Sequence, residues 1–319
     1  MVFRNGVDMK TITDFANYAY SNGVLIEPHK IVYDRIQRWG TQTRPRSKNG
    51  WSRVYCNGDC INAVFGDFQL CGEPIKWHNR EKLTHTDRIG VKAAYLEARR
   101  QRELERIEGL VNVQANYVKW VKPLFGSHPY IDKKCIADWL QMSIVDPLGI
   151  AGCIWSDIQK EYVLTHIFND ASKNVLIIPI RNIDDELFGF QKITATGDKY
   201  IHDGSQKKGN FYMVAPAGIS LADADRIFIA EGISTGVSAY LALSELLDAC
   251  NYVVLVSFGV FNITNVVDAV WSKHPNKPIT LLADSDDIND KNVGVEECAK
   301  IIAKHEATKN INMLKPEGM

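Results

Sequence analysis

The chain has 319 residues, 37 Lys and Arg against 38 Asp and Glu, and 45% hydrophobic residues. That length holds two domains, and the composition is that of an ordinary globular protein without low-complexity tracts. No apolar stretch is long enough to span a bilayer, and residues 1–8 lack a secretory pattern, so a cytoplasmic protein with no membrane partner is expected.

The near-neutral total hides an asymmetry. Residues 1–150 carry six more basic than acidic side chains, and residues 151–319 carry seven fewer. A basic half suits phosphate and an acidic half suits a cation, although a charge fluctuation without function gives the same numbers. Seven cysteines, an odd count, argue for reduced thiols. Cys56, Cys60, Cys71 and His78 do not have the spacing of a standard zinc finger or ribbon.

Residues 9–23 read as a helix with Phe15, Tyr18 and Ala19 on one face. Short β-type segments follow at residues 31–33, 35–37, 51–55, 61–65 and 75–77. Between them a polar loop concentrates Arg44, Arg46 and Lys48. Trp39, Trp51, Phe65, Phe68 and Trp77 are candidates for stacking on bases. Burial in a small β-module is the preferred reading for Phe65 and Trp77, while Trp39 and Trp51 stay open. Residues 86–122 turn helical, with Arg99, Arg100, Arg102 and Arg106 interleaved among Glu97, Glu103, Glu105 and Glu108. Such a helix reads as a solvated face laced with weak ion pairs. Pro129 marks the start of a new region, β-rich from residue 163 to residue 214.

In the last hundred residues, short apolar runs alternate with helical patterns, which predicts a parallel sheet with helical crossovers. Two runs end abruptly in acid, at Glu231-Gly232 and at Asp284-Ser-Asp286. Ligands of open α/β sheets sit beyond the carboxyl ends of the strands. Glu231, Asp284 and Asp286 are therefore expected around one crevice, as oxygen ligands for Mg²⁺ or Mn²⁺ in phosphoryl chemistry. Against this, a carboxylate just before a helix also serves as a cap. Gly232 and Gly236 are expected to allow a tight turn and close packing. Thr235 can cap the helix or touch phosphate, with capping the preferred reading, and Asp287 and Asp290 belong either to the acid cluster or to a solvated acidic loop. Asn292 and Gly294 open the following helix.

Glu-Gly at one strand end and Asp-x-Asp at another, 53 residues on, resemble a Toprim domain. The segments Asn174-Val-Leu-Ile-Ile-Pro-Ile-Arg181, Glu186-Leu-Phe-Gly189-Phe-Gln191, Lys199-Tyr-Ile and Lys207-Lys208-Gly209 resemble the part of primases that precedes that domain. The run from Gly50-Trp51 through Ala63-Val-Phe65-Gly66-Asp67 to Trp77 resembles the N-terminal module of plasmid and phage primases, a β-meander without metal. The resemblance implies an α+β N-terminal module followed by an α/β Toprim catalytic core, a parallel sheet flanked by helices, with a β-rich subdomain. The expected boundaries are 1–85 for the module, 86–126 for a helical connector, 127–215 for the β-rich part and 216–319 for the Toprim domain.

The function implied is a DNA primase of a plasmid, phage or similar mobile element. It would make short RNA primers on single-stranded DNA from ribonucleoside triphosphates, with a replicative helicase as a possible partner. Glu231, Asp284 and Asp286 would be catalytic and metal-binding. Lys199, Lys207, Lys208 and Arg181 would hold nucleotide or template, and Arg44, Arg46 and Lys48 would hold the single strand. Alternatives are a Toprim-type nuclease, which needs no triphosphate cradle, and a non-catalytic module binding single-stranded DNA or the replisome.

Overall fold

The computed structural model describes residues 9–57, 60–68, 73–79, 85–141, 147–158, 161–216, 218–247, 251–275, 277–284, 292–305 and 310–315. The chain divides into two compact units, Met1–Glu103 and Leu104–Met319.

The first unit pairs one helix with one sheet. Helix α1 (Met9–Ser21) places Ile12, Phe15, Ala16 and Ala19 on one face, at the three- and four-residue spacing that a helix turns into a stripe. Strands β1 (Val24–Leu25), β2 (Ile36–Thr41), β3 (Gly50–Asn57), β4 (Cys60–Asp67) and β5 (Ile75–His78) form an antiparallel sheet in chain order. Alternate residues point to opposite faces of a strand. Val54, Ile61, Ala63 and Phe65 therefore meet α1, and Phe15 packs on Phe65 and Trp77 with ring centroids 5.8 and 5.3 Å away. Trp39 is buried in the same core, where its indole N–H donates to Ser52 Oγ at 2.8 Å.

Helix α2 (His85–Trp120) starts in the first unit and continues into the second. Its residues 96–108 are exposed, as the interleaved charges predict. Beyond them the helix docks. Val113 is fully buried among Ala151, Val175, Ile177 and Phe190, and Gln114 Nε2 donates to the Leu187 carbonyl at 2.9 Å. Gly109 lets the helix backbone approach Gly204, where a Cβ would stand 3.3 Å from the Gly204 Cα.

The second unit contains β6 (Lys122–Pro123), the short helices α3 (Pro129–Lys133) and α4 (Asp138–Gln141), β7 (Gly149–Ser156), β8 (Glu161–Thr165), β9 (Asn174–Arg181), β10 (Leu187–Ile193) and β11 (Lys199–Ile201). These strands form a six-stranded sheet in the order β11-β10-β9-β7-β6, with β8 also on β7, and every pair is antiparallel. A further sheet follows the order β12-β14-β13-β15-β16, from β12 (Tyr212–Val214), β13 (Arg226–Ala230), β14 (Tyr252–Val256), β15 (Ile279–Leu282) and β16 (Ile311–Leu314). Its last four strands pair in parallel, and β12 runs antiparallel along the edge of β14. Helix α5 (Ile233–Leu246) covers one face of this sheet, and α6 (Ile263–Lys273) and α7 (Val293–Lys304) pack on the other.

The expected fold class, an α/β core built on a parallel sheet flanked by helices, is corrected by this arrangement. Among the described residues the molecule is sheet-rich, two of three sheets are antiparallel throughout, and the third is mixed. The physical reason lies in the core. Ile233, Val237 and Tyr240 of α5 share one buried cluster with Leu176, Ile178, Ile180 and Ile193 of the antiparallel sheet and with Trp139. Helix α5 is thus held between two sheets, where the sequence pattern predicted an outer helical layer.

Candidate functional site

Three strand ends meet at one edge of the mixed sheet. Ala230, the last residue of β13, is in register with Val256 of β14 and with Leu282 of β15. The chain leaves the three strands through Glu231, Ser257 and Ala283-Asp284. Ser257 closes the edge, because its backbone N–H donates to the Ala230 carbonyl at 2.9 Å and its hydroxyl to the same oxygen at 3.2 Å. Glu231 and Asp284 are both partly buried here.

The capping explanation for Glu231 does not describe its position. Gly232 occupies the cap of α5 with extended backbone, so Glu231 stands one residue outside it. Thr235 corrects a second expectation. Its hydroxyl donates to Asp284 Oδ1 at 3.2 Å, tying the first turn of α5 to the end of β15. Gly236 lies where a Cβ would come within 2.7 Å of Val256 Cγ2, so the first turn of α5 sits against the sheet because this residue has no side chain. Asn292 caps α7 by accepting from the Val295 N–H at 3.0 Å. A Cβ on Gly294 would stand 2.9 Å from the Asp284 carbonyl oxygen. Asp284 is thus held by α5 through its carboxylate and approached by α7 at its carbonyl.

The buried thiol of Cys298 reports the charge of this edge. Burial pushes its pKa up, and the nearby charges of Glu231, Glu297 and Asp284 push it further, to about 11. Two of those carboxylates are the ones that leave neighbouring strands.

Lys199 and Lys207 approach the same edge from the β-rich region. The Lys199 ammonium lies 3.8 Å from the point a Cβ would take on Gly232, and 5.8 Å from the centroid of the Tyr130 ring. Lys207 Nζ donates to the Phe258 carbonyl at 3.0 Å, just past the end of β14, where Phe258 has φ 59°. Asn262, to which no sequence motif pointed, organises this corner. The two hydrogens of its buried amide are shared among the carbonyls of Lys207 at 2.8 Å, Asn210 at 3.1 Å and Ser257 at 2.8 Å, and its oxygen accepts from the Gly209 N–H at 2.9 Å. The signal available was a polar amide directly after the apolar run Phe258-Gly-Val-Phe261.

Other residues named from the sequence lie elsewhere. Lys208 is exposed beside Lys207. Arg181 pairs with Leu187 at the start of β10, whereas Lys199 pairs with Ile193 at its end, about 20 Å away along the strand. Its guanidinium bonds the Asp185 carbonyl at 3.0 Å and lines a pocket of about 300 Å³ with Asn182, Phe211, Met213 and His274. Arg44, Arg46 and Lys48 are exposed on a loop of the first unit. Asp286, Asp287 and Asp290 lie outside the described residues, as does Cys71. Among the described residues no group of three or more His, Cys, Asp or Glu is arranged to hold a metal ion. Two described carboxylates, Glu231 and Asp284, leave adjoining strand ends, and carboxylate oxygen is the donor type that a hard divalent cation takes. Among the described residues no helix is long and apolar enough to cross a membrane.

No protein-family model matches the chain, and no curated protein is similar to it. Among solved structures, the primase fragment of the bacteriophage T7 primase-helicase protein aligns with a TM-score of 0.34 and 14% identity, over 57% of this chain and 59% of that one. A likeness that shallow leaves the chemistry to be argued from the residues themselves.

Proposed function

We propose that the chain is a DNA primase, which joins ribonucleotides into short primers on a single-stranded DNA template. The observation that supports it most is the meeting of opposite charges at one sheet edge. Glu231 and Asp284 leave adjoining strands, and Lys199 and Lys207 reach the same place from outside the sheet. Nucleotidyl transfer needs both signs: carboxylates for a cation, and cations for the triphosphate. The resemblance of residues 174–212 to primases supplies the substrate class.

Glu231, Asp284 and Asp286 would hold Mg²⁺ or Mn²⁺, which when bound neutralises charge developing on the phosphates. The remaining roles fall to side chains of this chain. Thr235 holds the Asp284 carboxylate in one orientation through its hydroxyl. Lys199 stands over the Glu231-Gly232 turn, placed to pair with a phosphate oxygen. Lys207 is held by the Phe258 carbonyl and the Asn262 network, so its charge is oriented before substrate arrives.

The test is incubation with single-stranded DNA, four ribonucleotides and Mg²⁺ or Mn²⁺, with products sized on a gel. Short RNA that requires all three components is expected. Shortened DNA without RNA would replace this reading with a nuclease, and neither product would leave a binding module.

A further inference from the structure

The antiparallel sheet of the first unit has two faces, and α1 covers one. The residues pointing the other way form cross-strand rows. Arg38 is in register with Trp51, and Trp51 with Gly66. The next row is Ile36, Arg53, Val64 and Lys76, and the third is Tyr55, Asn62 and His78. None of these outward positions carries a carboxylate.

The aromatic side chains on this face are flat, partly open and flanked by cations. The Trp51 indole lies over Gly66, where a Cβ would come within 3.2 Å of Nε1, so the glycine makes room for the ring. Phe68 adjoins Trp51 with centroids 5.7 Å apart, is 50% exposed, and has the Arg38 guanidinium 4.1 Å above its ring. Arg53 stands 5.2 Å over the Tyr55 ring. A second observation ties the basic loop to the same face. Gly40 occupies an outward position of β2, and the Pro45 carbonyl lies against the point where its Cβ would be. The loop bearing Arg44, Arg46 and Lys48 therefore folds back over the end of this face, beside the Arg38–Trp51 row.

We propose that this face binds single-stranded DNA, with bases stacking on Trp51 and Phe68 and phosphates pairing with Arg44, Arg46, Lys48 and Lys76. The part of a ring left open, and a guanidinium plane lying on a ring, recognise any base by stacking, and neighbouring cations track the backbone. A hydrophobic protein partner would bury these cations without supplying anionic groups to meet them. The choice of DNA over RNA rests on the function proposed above; the stacking surface does not.

The test uses the full chain without metal or nucleotide, so failure of the catalytic reading leaves it untouched. Fluorescence anisotropy would follow a labelled twelve-nucleotide oligothymidine, the same length of oligouridine, and an abasic oligomer. Phe68→Ala, at an exposed ring, should weaken oligothymidine binding about tenfold and leave abasic binding and the salt slope unchanged. Replacing Arg44, Arg46 and Lys48 with Ala should flatten the slope by about 0.7 log unit for each phosphate that no longer pairs with a cation. Trp51→Ala adds a second stacking probe, accepted only if its thermal unfolding stays cooperative. Oligothymidine binding that is absent in the wild type, or unchanged in Phe68→Ala, would overturn the proposal, and so would tighter binding of oligouridine.

Discussion

At the scale of single residues, the proposed reaction centre depends on how Asp284 is held. Its carboxylate accepts from Thr235, and Gly294, having no side chain, lets α7 approach its carbonyl. Removing a hydrogen-bonded supporter of a metal ligand costs about 10–100-fold in metal affinity. Thr235→Val keeps the shape and loses the donor, so Mn²⁺ binding followed by electron paramagnetic resonance should weaken by about that range. Unchanged affinity would mean the hydroxyl plays no part. Asp284→Ala should leave the metal-free protein at least as resistant to heat as the wild type, because crowding of like charges beside Cys298 is relieved. The two neighbouring lysines should separate. Lys207→Met removes a cation anchored to the Phe258 carbonyl and should raise the apparent KM for nucleotide, while Lys208→Met, at an exposed position, should change it less. Equal effects would place both on an ordinary surface.

At the scale of elements, the docking of α2 carries a pH dependence. His202 stacks on Phe190 at 4.3 Å between centroids, and its Nε2 lies 3.3 Å from Asn116 Nδ2 of α2. Burial, and then the Lys192 ammonium, lower its pKa from 6.5 to about 4, with Asp203 opposing. The folded state therefore prefers the neutral ring. The stability it confers is fully present above pH 6.5 and is lost as pH falls from there toward 4, on the order of 3 kcal/mol in all. His202→Asn should flatten the fall in unfolding free energy across that window, measured by urea titration. His128, whose pKa burial also lowers, keeps part of the slope. An unaltered slope would remove His202 from the explanation.

Legibility also differed between elements. The apolar runs at β13, β14 and β15 stood out because strands buried on both faces carry unbroken apolar sequence. Glu231 and Asp284 could be placed at strand ends for that reason. The antiparallel surroundings were not legible as an architecture: the α5 sequence is apolar almost all round, which marks burial on more than one face, but it does not say that an antiparallel sheet lies there. The roles of Asn262, Thr235 and the docked half of α2 were hidden alike, because each acts through a partner far away in sequence.

At the scale of the molecule, the two units divide the charge. In the first unit Arg38 and Arg53 lie over the Phe68 and Tyr55 rings, and the second gathers carboxylates and lysines at one sheet edge. Under the two proposals above, template capture would fall to the first and nucleotide joining to the second. The most direct test of the joining step compares wild type with Asp284→Asn, which keeps the size of the side chain and removes its charge. Incorporation of labelled ribonucleotide on single-stranded DNA would be measured at saturating Mg²⁺, with circular dichroism confirming that both proteins are folded. Incorporation by the wild type that falls at least a hundredfold in the variant, on the order of the loss of one charge-stabilising group, is the predicted result. Equal incorporation by the two folded proteins, or none by the wild type, would contradict the assignment of this edge as the reaction centre.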